Sequence, residues 1–100
     1  MAALVSFDDA KRHLRITDSA HDADVQVKLE EATDIIVNFL KERADPNWTE
    51  TTVPLRIQSA IKMILTHLYR HRGDDMAPVD EDLWAAVTRL LGRDRDPALA

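Results

Sequence analysis

Two stretches of this chain repeat apolar residues at the period of an α-helix, and each is close to twenty residues long. In VQVKLEEATDIIVNFLKER, Val25, Leu29, Ala32, Ile36, Phe39 and Leu40 recur at steps of four, three, four, three and one. Lys28, Glu31, Asp34, Asn38 and Lys41 fall elsewhere on the same cylinder. That spacing describes one apolar stripe on a 3.6-residue repeat. In LRIQSAIKMILTHLYRHR, Ile57, Ile61, Ile64, Leu65, Leu68 and Tyr69 form a second stripe. The spacing predicts helices over about 21–43 and 54–72, the first running about 30 Å or slightly more at roughly 1.5 Å per residue. An amphipathic helix cannot bury its own face, so the two stripes need each other.

Shorter helical signals flank this pair. Ser6 can cap a helix over 6–14, with Asp8 and Asp9 in its first turn, Lys11, Arg12 and Arg15 after them, and Phe7, Ala10 and Leu14 on one face. Asp80 can cap a helix over 80–91, with Glu81 and Asp82 in its first turn, a stripe of Leu83, Val87, Leu90 and Leu91, and Gly92 as its stop. Between the elements lie polar breaks. Asp18 and Ser19 are turn and cap residues ahead of the first long helix, where Asp22 and Asp24 add negative charge. Asp45-Pro46-Asn47 breaks the chain after it, and Pro54 suits the first turn of the second. Arg70, His71 and Arg72 favour that helix's C-terminal end, with Gly73 just beyond.

The expected fold is all-α: two long antiparallel helices with a short helix at each end, a small helical bundle over residues 1–92. The charged RDRDPALA end, 93–100, is expected to be a flexible tail. The loop of about ten residues around Trp48 exceeds the usual 2–8 of helix–helix connections, which marks it as a candidate interaction element.

Composition narrows the function. A 100-residue chain of 45% hydrophobic and 31% charged residues has ordinary globular proportions. Two glycines and five aromatic residues argue against an all-β sandwich. The absence of cysteine excludes disulfides, thiolate metal sites and a Cys nucleophile. No apolar run is long enough to span a membrane, and no signal peptide is visible, so an intracellular protein is expected. The formal charge of −5 argues against a general nucleic-acid coat.

Several constellations invite a chemical reading. His67 and His71 stand at the i, i+4 spacing of helical zinc ligands, but no Glu follows the first His and a third ligand must come from elsewhere. Surface histidines near a helix C-terminus account for them without a metal. Asp8/Asp9, Glu30/Glu31, Asp74/Asp75 and Glu81/Asp82 are adjacent carboxylates on caps or polar faces; neighbours in a helix do not face one another. Only Gly73 and Gly92 are present, so no Gly-rich phosphate loop or nucleophile elbow can form. No enzyme, metal or cofactor is expected. Lys11, Arg12 and Arg15 form the one basic cluster. It is either a contact for DNA in a small helical regulator or a salt-bridging surface facing an acidic helix or subunit. Trp48 and Trp84 are either local core caps or contact points. Trp84 falls off the Leu83/Val87/Leu90/Leu91 stripe, which tilts it towards a contact surface.

The ordered set of these segments resembles the head–tail connector (adaptor) family of long-tailed bacteriophages. The matching residues are Ala10, Lys11, Leu14 and Arg15 in the opening run; Asp22 and Asp24 through Ala32, Ile36 and Leu40; Val53, Pro54, Ile57, Ala60, Ile61, Leu68, Tyr69 and Arg72; and the Leu90–Leu91 pair. They span roughly residues 5–92. The chain departs from the family at Leu91-Gly92-Arg93, where a Pro-Tyr-Arg-like group often follows the leucine pair.

The resemblance implies a virion or prophage protein that acts by assembly, found in the host cytoplasm before it joins the head–tail interface. It implies a ring of copies, typically a dodecamer, below the portal protein. Such a ring extends the DNA channel, presents a surface to a tail or stopper protein, and lets DNA pass without sequence-specific binding. Candidate contact residues are Lys11, Arg12 and Arg15 on the first helix, Trp48 in the loop, and Trp84 and Arg89 on the last helix.

Overall fold

A computed structural model describes residues 4–41, 44–70 and 81–92. Among them are four helices and no strand: α1 (Phe7–Leu14), α2 (Asp22–Leu40), α3 (Leu55–Arg70) and α4 (Glu81–Leu90). Together they form a small helical bundle.

Each end has a local cause. Ser6 Oγ accepts the Asp9 N–H at 3.1 Å, so Ser6 is the cap and α1 begins one residue later. This satisfies a donor that a helix N-terminus leaves without an intrahelical partner. At the other end Arg15 turns left-handed (φ 60°, ψ 39°), and the Ile16 N–H reaches back to the Lys11 carbonyl at 3.0 Å. That six-to-one bond is the Schellman closure.

The α2 cap position falls to His21, whose side chain makes no capping hydrogen bond. Asp18 and Ser19 act slightly earlier. Asp18 Oδ1 accepts the Ala20 N–H (3.1 Å), and the Ser19 carbonyl accepts the Asp22 N–H (3.3 Å). α2 stops at Leu40, short of the expected 43, because Lys41 leaves the helical region at φ 53°, ψ −122°. The Pro54 carbonyl accepts the N–H of Ile57 (3.0 Å) and of Gln58 (3.3 Å), so proline starts the α3 ladder from just outside it. The expected ends of α3 at His71 and Arg72, its Gly73 stop, the Asp80 cap and the 93–100 tail lie outside the described residues.

α3 is the hub: α2 packs most extensively against it, and α1 and α4 also rest on it. α1 lies against α2 as well. The Leu4 carbonyl meets Gln58 and His13 meets Thr66, so the chain from 4 to 13 runs in the same direction as α3. The core joins Val25, Leu29, Ala32, Ile36 and Leu40 of α2 to Ile57, Ala60, Ile61, Ile64 and Leu65 of α3. Leu4, Val5 and Ala10 close it on one side, Val87 and Leu91 on another. Each fully buried aliphatic side chain contributes about 1.5–3 kcal/mol relative to exposure. Among the described residues Thr33 is the buried polar side chain, and its hydroxyl donates to the Leu29 carbonyl at 2.9 Å.

The face of α4 differs from the expected stripe. Val87 and Leu91 are buried and Leu83 is half-buried, but Leu90 is exposed and Trp84 takes its place against the core. The indole meets Phe39 of α2 edge to face, with ring centroids 5.2 Å apart at 79°. Such a pair adds about 0.5–1.5 kcal/mol beyond area burial, and it turns the α4 face towards residue 84. Gly92 is not at positive φ, and a Cβ there would make ordinary contacts at 3.6 and 3.7 Å. Its backbone therefore does not require glycine.

Candidate interface surfaces

The basic cluster of α1 divides into three roles. Lys11 is consumed inside the chain. Its ammonium donates to the Asp18 carbonyl at 2.6 Å, lies 2.8 Å from Asp22 Oδ1, and sits 5.7 Å from the Phe7 ring centre. Asp22 Oδ1 is buried and accepts no hydrogen bond, although the ammonium is within hydrogen-bonding distance. The contact is an ion pair, and at 2.8 Å the ammonium offsets the burial of that oxygen. With its side chain only 16% exposed, Lys11 fastens α1 to the start of α2. The acidic helix that the cluster was expected to face is thus, for this residue, in the same chain.

Arg12 pairs with Asp9 one turn earlier at 2.9 Å, in an exposed geometry that stabilises little. Arg15 is exposed and its guanidinium has no ion pair among the described residues. Arg15, Arg12, Lys11, Asp8, Ile16 and Thr17 line a shallow groove of about 370 Å³. A duplex contact there would have Arg12 and Arg15 to use, since Lys11 is committed elsewhere.

The other sequence candidates separate in the same way. Trp48 is half-buried against the core. Its loop is tied by Asn47 N–H to Asp45 Oδ1 (2.8 Å), Thr49 N–H to Thr52 Oγ1 (2.8 Å) and the Gln58 amide to the Glu50 carbonyl (2.8 Å). Trp84 is packed on Phe39. Arg89 is exposed and has no ion pair among the described residues. His67 lies half-buried on α3, and its spacing partner His71 lies outside the described residues. Among the described residues no three His, Asp or Glu side chains converge on a metal-sized site.

A cationic seam between α1 and α3 has no counterpart in the sequence reading. His13 Nε2 stands 2.9 Å from Thr66 Oγ1, and that hydroxyl donates to the Lys62 carbonyl at 2.9 Å. Its one hydrogen is spent there, so His13 is the donor of the first bond, with the proton on Nε2. Burial first, then Lys62 and then Arg70, push the imidazole below its ordinary pKa of 6.5. Lys62, Thr66 and Arg70 are spaced i, i+4, i+8 on one face of α3. The partners His13 and Thr66 are 53 residues apart, so no local spacing could announce the contact. Only the polar residues themselves could have served as a signal.

These surfaces lie on a small helical bundle. No helix among the described residues is long and apolar enough to cross a membrane. Comparison with curated proteins and with solved structures returned no match. The family described as "Phage gp6-like head-tail connector protein" matches residues 5–82, which takes in α1, α2, α3 and the opening of α4. With more than three quarters of its length matched, the chain belongs to the phage gp6-like head-tail connector family.

Proposed function

We propose that this chain is one subunit of a closed ring seated between the portal protein of a phage head and the tail or a stopper protein. Family membership makes it a virion component with a role in joining head to tail. The family match over residues 5–82 is the observation that supports a ring with these neighbours and a role in binding. The physics of the chain agrees. A small helical body whose charged groups lie largely outside its core can pack side by side about an axis, and head-to-tail contacts close when the rotation allows. A net charge of −5 suits a channel that passes DNA without gripping it, because like charges do not bind the phosphate backbone. The action is binding: copy to copy around the ring, ring to portal above, ring to tail-side protein below.

Electron microscopy and light scattering across a concentration series test this. The expected result is a monomer that gives way to rings of uniform size as concentration rises. A fixed dimer at every concentration would overturn it.

A further inference from the structure

Lys11 has Asp22 as a partner, Arg12 has Asp9 and Lys28 has Glu31. The groove beside α1 is therefore balanced in charge: Lys11, Arg12 and Arg15 stand with Asp8, Asp9 and Asp22. The seam between α1 and α3 is not. Lys62 and Arg70 have no ion pair among the described residues. Asp9, the carboxylate one turn before His13, is taken by Arg12.

The seam is also extended. Ser59, Lys62, Thr66 and Arg70 share about 80° of the α3 circumference. Lys62 and Arg70 stand one turn to either side of Thr66, about 12 Å apart in rise, and the His13 imidazole joins Thr66 between them. Burial, and then both cations, hold that ring below its ordinary pKa. His13 and Arg70 are exposed and Lys62 is half-buried, so the seam opens to solvent. Arg70, in the last turn, suits the helix dipole, but Lys62 lies two turns earlier, beyond the reach of that effect.

A row of like charges without counter-charge is complementary to an anion that repeats along its length. Protein interfaces centre on aromatic or aliphatic anchors and are depleted of charge there. This row holds no such anchor. Leu55, the large exposed apolar residue of α3, starts the helix, about 16 Å of rise before Thr66. A nucleic-acid strand needs none, because its phosphate contacts are electrostatic and carry no sequence information.

We propose that the α1–α3 seam is where this chain touches the sugar–phosphate backbone of duplex DNA, with Lys62 and Arg70 each on a phosphate and His13 between them. The inference rests on the ring reading for the source of the DNA, and it makes the seam a channel-facing surface. The contact is small and independent of sequence. The chain's net charge of −5 keeps it weak, so DNA touches the wall and still passes.

Fluorescence anisotropy of short labelled duplexes, titrated with the full chain at about 50 mM salt, tests this. Duplexes of unrelated sequence are expected to bind equally. Lys62→Gln/Arg70→Gln should weaken binding at least about tenfold and flatten the slope of log K against log salt by about 1.8 per bound chain. Arg12→Gln/Arg15→Gln has the same net charge and alters the balanced groove instead; it should bind as wild type does. Should the first variant lose its helical circular dichroism, the exposed Arg70→Gln alone serves, with the slope reduced by about 0.9.

No binding at up to about 1 mM chain, well above the usual non-specific range, overturns the seam. So does a loss that follows Arg12 and Arg15 in place of Lys62 and Arg70. Tighter binding of poly-glutamate than of duplex overturns it too and assigns the seam to an acidic protein segment. Any of these leaves rings seen by electron microscopy standing, whereas duplex binding through the seam by a chain that never forms rings overturns the ring reading alone.

Discussion

Arg15 holds a backbone conformation that an L-residue resists. At φ 60° and ψ 39° its Cβ crowds the following carbonyl, at a cost of about 1–2 kcal/mol. The Schellman closure of α1 requires that turn, and glycine enters it freely. Arg15→Gly is therefore expected to stabilise the fold by about 1 kcal/mol, read as a higher urea midpoint at unchanged helical content. No gain would mean that the arginine makes a compensating contact.

His13 poses a different question at the same scale. Burial, Lys62 and Arg70 favour its neutral form, so its folded pKa lies below 6.5. Above that value both folded and unfolded states carry a neutral imidazole and stability is independent of this group. As pH falls below it, the unfolded chain binds the proton first, and stability is lost through the folded pKa. His13→Gln keeps a donor for Thr66 but does not titrate. Unfolding curves from pH 7 to pH 5 should fall more steeply for wild type than for this variant; parallel curves would remove His13 from the account.

At the scale of elements, one side chain joins three segments. The Gln58 amide nitrogen on α3 donates to the Leu4 carbonyl ahead of α1 (3.1 Å) and to the Glu50 carbonyl in the α2–α3 loop (2.8 Å). Gln58→Ala leaves both acceptors without that donor and is expected to cost about 1–3 kcal/mol. Denaturant titration measures the loss, and protease nicking near Glu50 should accelerate in the variant. An unchanged midpoint with unchanged nicking would show that water replaces the amide without penalty. The Lys11–Asp22 pair joins elements too, linking α1 to α2. It is partly exposed, and its main effect is to set the position of α1.

For the whole molecule, α3 carries the fold because each of the other helices rests on it. Ile64, fully buried in its second half, faces the common core. Ile64→Ala is expected to cost about 2–5 kcal/mol out of the roughly 5–15 kcal/mol that holds a domain together. A single cooperative transition at a much lower midpoint is the expected thermal melt. A loss below about 1 kcal/mol would require the bundle to collapse around the missing atoms.

The sequence by itself determined where the long helices run, which faces they bury and how α1 begins. Those properties depend on residues within a few turns of one another: the stripe from Val25 to Leu40, the stripe from Ile57 to Leu65, and Ser6 ahead of Asp9. The order of these segments also sufficed for the family. Tertiary structure alone decided which polar groups are spent inside the chain and which remain for partners. Lys11 turned inward because packing brought Asp22 to its ammonium, while Arg15 stayed outside. Trp84 displaced Leu90 from the core because its ring packs in a T-shaped pair with Phe39 of a different helix. His13 found Thr66, and Gln58 found Leu4, across more than fifty residues. Helical period is a local property of a chain. The pairing of distant side chains follows from how helices pack, and spacing along one of them does not encode it.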